Sequence, residues 1–158
     1  VKSIKDLCGH QIGQYRIHCG KPVPNIFLPI LHKNEYYRMK EGEVYAIETF
    51  PTTGDGSVVE NLPQCSHYMA NYHNPSVFTA KSISQSEFTK RMDKRFSTLC
   101  FCKRFMNDYG LLNNAKLEDV VAKKLYTPYP PLYSQPGTYV AQTEHTIFIT
   151  PKGIIPLN

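Results

Sequence analysis

The chain has 158 residues, 41% of them hydrophobic, enough for one soluble domain that hides roughly two thirds of the surface its unfolded form exposes; a disordered chain is excluded. A formal net charge of +5 admits an anionic partner, yet the densest basic cluster, Lys90, Arg91, Lys94, Arg95, Lys103 and Arg104, falls at helical spacing opposite apolar residues and reads as a solvated helix face. No DNA partner is expected, while RNA or ribosome contact through phosphate attraction stays open. The longest apolar run, Ile26 to Leu31, is broken by Pro29 and far too short to cross a bilayer, and the first residues carry neither a charged leader nor a long apolar segment, so neither a membrane nor an export route is expected. Five cysteines without paired short spacings argue against a disulfide framework and for reduced thiols, that is, for the cytoplasm; Cys100 and Cys102 stand two apart with no second element to complete a zinc site, and all five read as structural or pocket-lining.

In chain order, the run Leu7-Cys-Gly-His-Gln-Ile-Gly-Gln-Tyr-Arg-Ile-His18 comes first. It sets His10 and His18 in a glycine-punctuated segment, where Gly9 and Gly13 permit a positive φ or a close backbone approach. Both histidines are candidates for chemistry, and a hydrogen-bonded core histidine is the alternative for each. Pro22 and Pro24 then impose an extended segment, and residues 25–39 read as an enlarged surface loop. Glu43 to Phe50 is a β-branched and aromatic run bounded by Gly42 and by Pro51-Thr-Thr-Gly-Asp-Gly56, which predicts a buried strand. Period two puts Val44, Ala46 and Glu48 on one face, so Glu48 requires a cation, a proton or an edge position.

From Ser84 the pattern becomes helical: Ser84 and Glu87 form a capping box, and Phe88, Met92, Phe96 and Leu99 recur at steps of four, four and three, which predicts one helix to about 109. A shorter helix is predicted over 116–125 from Leu117, Val120, Val121 and Leu125. Composition makes Cys100 a buried helix residue and Tyr129 a core or turn aromatic fixed by its neighbouring prolines. Gly137 to Thr150 reads as a strand buried on both faces, with Gln142, Glu144 and Thr146 sharing one of them. A hydrogen-bonded structural role is the alternative for Glu144.

The blocks Gly-His-Gln-Ile-Gly-Gln-Tyr-Arg-Ile-His, Glu43-Val-Tyr-Ala-Ile-Glu-Thr-Phe50, Cys65-Ser-His-Tyr68, Pro128-Tyr-Pro-Pro-Leu132 and Ala141-Gln-Thr-Glu-His-Thr146 together resemble the type 2 methionine aminopeptidases, two-metal peptidases of the pita-bread fold. The likeness runs in the family's order from Val1 nearly to the end. It implies an α+β fold class, the C-terminal portion of a pita-bread (creatinase/aminopeptidase) fold, with residues 1–68 and 127–158 in the catalytic domain and 69–126 as a helical insertion characteristic of type 2. The loop at 25–39 departs from the family's shorter connection.

The resemblance further implies removal of the initiator methionine from nascent polypeptide N-termini, with two divalent metal ions, cobalt, manganese, iron or zinc. His10 and Glu48 would bind one metal and Glu144 would bridge both. His18 would contact the substrate backbone as the catalytic histidine, His67 would stand at the pocket wall, and Ile17, Tyr129 and Leu132 would shape the methionine pocket. Cys100 falls where the family more often has alanine. The family's two aspartate ligands and a further histidine have no counterpart here, so a partial catalytic domain, inactive alone, is expected. The competing readings are a non-catalytic pita-bread relative that binds RNA, ribosomes or proteins, and another pita-bread peptidase such as an aminopeptidase P; retention of His10, Glu48 and Glu144 argues against the first, and the insert and the Pro-Tyr-Pro-Pro-Leu block against the second.

Overall fold

The computed structural model describes residues 1–71 and 86–158. The chain forms two compact units, residues 1–59 with 132–158, and residues 60–131.

In the first unit the strands are β1 (Lys2–Ser3), β2 (Cys8–Ile12), β3 (Pro22–Pro24), β4 (Val44–Thr49) and β5 (Pro51–Thr52), with β6 (Val59–Glu60) at its boundary. Further strands β10 (Leu132–Tyr133), β11 (Thr143–Thr150) and β12 (Gly153–Pro156) return from the end of the chain. An antiparallel five-stranded sheet runs β12-β11-β4-β2-β3. The predicted strand at 43–50 is thus β4, and it pairs with β11 as Glu48 opposite Glu144, Ala46 opposite Thr146 and Tyr45 opposite Ile147. Tyr45, Ala46, Ile147, Ile4 and Thr52 are buried.

Strand β11 differs from the expected 137–150 strand in two ways. It begins at Thr143 rather than Gly137, and Thr143, Glu144 and His145 are exposed, so it is not buried on both faces. Residues 25–39 are largely exposed, as an enlarged loop should be, and carry only a short helix α1 (Pro29–His32) and a 3-10 turn at Glu35–Tyr37.

The second unit builds on a three-stranded antiparallel sheet, β8-β7-β9, with β7 at His67–Ala70, β8 at Phe101–Cys102 and β9 at Tyr126–Tyr129. Helices α2 (Glu87–Phe96), α3 (Lys103–Asp108) and α4 (Asn114–Ala122) supply most of the remaining core. Phe88, Met92 and Phe96 face inward from α2, while Lys90, Arg91, Lys94 and Arg95 lie exposed, as their spacing predicts. Phe101 stacks on Phe96 at a centroid distance of 4.5 Å and meets Tyr126 edge-on at 5.8 Å.

The single helix predicted to about 109 is broken. Ser97 takes φ 49°, Phe101 and Cys102 pair with Tyr68 and His67, and helix resumes at Lys103. A long-range strand pairing overrides the local periodicity here, and Leu99, expected inside, is 59% exposed. Cys100 is accordingly neither helical nor buried. Ser84 of the expected capping box lies outside the described residues; Ser86 caps α2, its hydroxyl accepting from the Thr89 N–H at 3.2 Å. The shorter helix spans Asn114–Ala122 and buries Leu117 and Val120, with Val121 and Leu125 packed against the core.

Candidate functional site

Strand β2 crosses β4 with His10 opposite Ala46, so His10 and Glu48 are diagonal neighbours on one face, and Glu144 joins that face from β11. His10 Nε2 lies 3.4 Å from Glu48 Oε1, both side chains being about five-sixths buried. Its other nitrogen, Nδ1, is 3.3 Å from the Gln11 carbonyl. The Glu48 carboxyl titrates above its ordinary range, because burial disfavours the charge and Glu144 adds like charge; His10 opposes both. Glu144 is exposed, and Gln142 Nε2 donates to its Oε2 at 3.4 Å.

Gly9 is what brings β2 this close. A Cβ there would meet the Ala46 carbonyl oxygen at 2.3 Å and the Glu48 nitrogen at 3.1 Å, both backbone atoms that cannot turn aside. Gly13 is also a close approach, to Cys19 Sγ at 2.6 Å, whereas the positive φ of this turn, 57°, falls on Tyr15. Gly9→Ala should therefore push β2 off β4 and cost about 1–3 kcal/mol or more, since the obstacle is main chain. Urea denaturation and the loss of His10–Glu48 proximity, read from histidine NMR shifts, check it; an unchanged midpoint counts against a close-packed β2.

His18 sets its ring edge-on to His10 at 4.3 Å, and its pKa is lowered by partial burial and by the His10 charge. Ile17 is half-buried beside it and Leu132 is exposed on β10. In the second unit His67 stands opposite Tyr129, so the two share a face of that sheet. Partial burial, with Cys100 as a neighbouring charge, raises the Tyr129 phenol, which brings Cys100 to the same group. Partial burial likewise raises the Cys100 thiol. His67 is exposed, its Nδ1 3.0 Å from Ser66 Oγ. The structure thus gathers His10, His18, Glu48 and Glu144 in one unit and His67, Cys100 and Tyr129 in the other.

One neighbour of the first group escaped the sequence reading. Cys8 precedes His10 by two on β2 and so shares its face, and its thiol is raised by burial and by the Glu48 charge. Strand periodicity carried that signal. All five cysteines are free thiols.

An imidazole nitrogen facing a largely buried carboxylate calls for a proton or a cation between them, and a second carboxylate opposite the first raises the demand for positive charge. The donor chemistry of His10, Glu48 and Glu144 therefore suits a divalent cation. Among the described residues no three His, Cys, Asp or Glu side chains converge closely enough to hold a metal ion. Among the described residues no helix is long and apolar enough to cross a membrane.

No protein-family model matches the chain. It is 41% identical over 158 residues to methionine aminopeptidase 2 of Komagataella phaffii, covering 96% of this chain and 33% of that protein. It is also 41% identical over 152 residues to methionine aminopeptidase 2A of Arabidopsis thaliana, with the same coverages of 96% and 33%. To methionine aminopeptidase 2 of Encephalitozoon intestinalis it is 37% identical over 157 residues, covering 97% and 41%. The chain therefore spans between a third and about two fifths of the length of these curated relatives. Among solved structures, a thermophilic Arx1 superposes with a TM-score of 0.72 at 16% identity, over 98% of this chain and 40% of that one, a likeness of fold. With this identity carried along nearly its whole length, the chain belongs to the type 2 methionine aminopeptidase family and shares the pita-bread fold.

Proposed function

We propose that the chain serves the removal of N-terminal methionine by two-metal peptide hydrolysis, acting on the N-termini of nascent polypeptides in the cytoplasm. The observation that carries this reading is the shared face of His10, Glu48 and Glu144, with His10 Nε2 3.4 Å from Glu48. On this reading His10, Glu48 and Glu144 would hold the divalent ions, Glu144 being shared between the two, and such a pair would supply an activated water and a polarised carbonyl at neutral pH. The oxygen-rich donor set suits manganese, iron or cobalt and admits zinc. The chain's own residues prepare this. With Nδ1 turned to the Gln11 carbonyl, His10 presents Nε2 toward Glu48, where it would be offered to a cation. His18, its pKa lowered, is neutral at neutral pH and presents one N–H and one lone pair to a substrate backbone. In the second unit His67, Cys100 and Tyr129, and in the first unit Ile17 and Leu132, are each proposed to contact substrate, and residues 69–126 are proposed to be the type 2 insertion.

A second reading, a non-catalytic relative that binds RNA, ribosomes or proteins, is favoured by one observation: the three candidate ligands do not converge among the described residues. A chimera separates the two. The 158-residue chain replaces the matching third of the Komagataella phaffii methionine aminopeptidase 2 and is assayed on a Met-Ala-Ser peptide. Methionine release by the chimera, and none by the chain alone, is expected. A folded, metal-loaded chimera without turnover would establish the second reading.

A further inference from the structure

The second unit contains a cavity of about 410 Å³ between α4, the 3-10 turn at Leu62–Gln64 and the Tyr68 and Pro128 side of the β7-β9 pair. Alternation along β7 and β9 puts His67 and Tyr129 on the opposite face from Tyr68 and Pro128, so this cavity is not the candidate substrate wall. Leu62, Leu117, Val121 and Pro128 give it apolar walls. Lys103, a half-buried residue, lines it and, among the described residues, makes no ion pair; its Nζ stands over the Tyr68 ring, 5.9 Å from the centroid. The other ionisable groups are the Tyr68 phenol, the Cys65 thiol and Glu118, which is exposed on α4. Burial first, then Cys65 and Glu118, push the phenol up to about 12, so it stays protonated and donates to the Cys65 carbonyl at 3.2 Å.

We propose that this cavity binds a small apolar carboxylate, aliphatic or aryl, with its anionic head on Lys103 and its apolar body between α4 and Pro128. The volume lies in the usual range of small-molecule sites, roughly 300–1,000 Å³, whose pattern is apolar walls with few polar groups. The Lys103 ammonium, without a carboxylate partner among the described residues, selects the anion: a carboxylate there gains a charge-assisted hydrogen bond, whereas a ligand amine would meet like charge. Glu118, at the exposed rim, opposes the head group and limits affinity. The proposal is independent of the peptidase reading.

Calorimetric titration of the chain with decanoate, with decylamine as the control, tests it. Saturable 1:1 decanoate binding is expected, weakened about tenfold or more by Lys103→Met and largely kept by Lys103→Arg. Glu118→Gln should strengthen it, and Ala122→Trp, which fills the cavity, should abolish it. Circular dichroism establishes that each variant is folded. Absence of saturable binding, tighter binding of decylamine, or decanoate binding indifferent to both Lys103→Met and Ala122→Trp in folded protein overturns the proposal.

Discussion

Lys21→Met should lower the stability of the chain by about 3 kcal/mol or more, the usual consequence of stripping one partner from a buried ion pair. Lys21 is only 6% exposed. Its ammonium is bonded to Glu43 and donates to the Arg38 carbonyl at 3.1 Å. These two residues flank the enlarged 25–39 loop, so the pair closes that loop at its base and ties the start of β4 to the segment leading into β3. Removal of Lys21 leaves the Glu43 carboxylate, among the described residues, with the Tyr45 hydroxyl at 2.7 Å and the Lys40 N–H at 2.6 Å. The double variant Lys21→Met with Glu43→Gln should recover a large part of the loss, because the orphaned charge and not the missing bond is the larger cost.

The same pair fixes a pH dependence. Burial acts to raise the Glu43 carboxyl, but the hydrogen bonds from Lys21, Tyr45 and Lys40 and the Lys21 charge outweigh it, so Glu43 titrates below the ordinary carboxylate range. A carboxyl depressed in the folded state binds fewer protons than in the unfolded chain, so its stabilisation is complete above the unfolded value and fades as pH falls through the folded one. Urea midpoints between pH 6 and pH 3 should accordingly fall more steeply for the parent chain than for Glu43→Gln, about these pH values being where carboxylates titrate. Parallel slopes would remove Glu43 from the account.

How much of this was legible in the sequence depends on the range of the interaction. The β-branched run of β4 and the apolar spacing of α2 and α4 are local signals, and the structure follows them. The break at Ser97 was not local: Thr98 to Cys102 continues the helical spacing through Leu99, and only the partner strand, β7, makes Phe101 and Cys102 extended. The Lys21–Glu43 pair was illegible for the same reason, since neither residue differs in type from the solvated charges around it. For the candidate site, period two placed Glu48 and Glu144 each on a face of its own strand, but the register that sets them opposite one another comes from pairing segments far apart in the chain. Gly9 sits between these cases: its type announced a close approach, and only the fold shows that the atom approached is the Ala46 carbonyl.

In the chimera, Glu144→Gln should reduce turnover by several kcal/mol in activation free energy, an order-of-magnitude figure for loss of a bridging carboxylate, while leaving stability within about 0.5 kcal/mol of the parent. The contrast follows from its setting. Glu144 is exposed, its one side-chain hydrogen-bond partner among the described residues, Gln142, is distant at 3.4 Å, and its charge burdens Glu48 across the strand pair. Neutralising it removes a repulsion and breaks no core contact, so the fold has no reason to weaken. Tyr129→Phe is the comparison: in the proposed pocket role, loss of one phenol hydrogen bond to substrate would be worth around 1 kcal/mol, about fivefold in rate if it is felt only in the transition state. Manganese or cobalt titration beside the kinetics completes the test, with weaker binding of one equivalent expected for Glu144→Gln and unchanged binding for Tyr129→Phe. Full metal occupancy with near-normal turnover in Glu144→Gln would leave this glutamate a surface residue of β11, and the catalytic reading of that strand would fall with it.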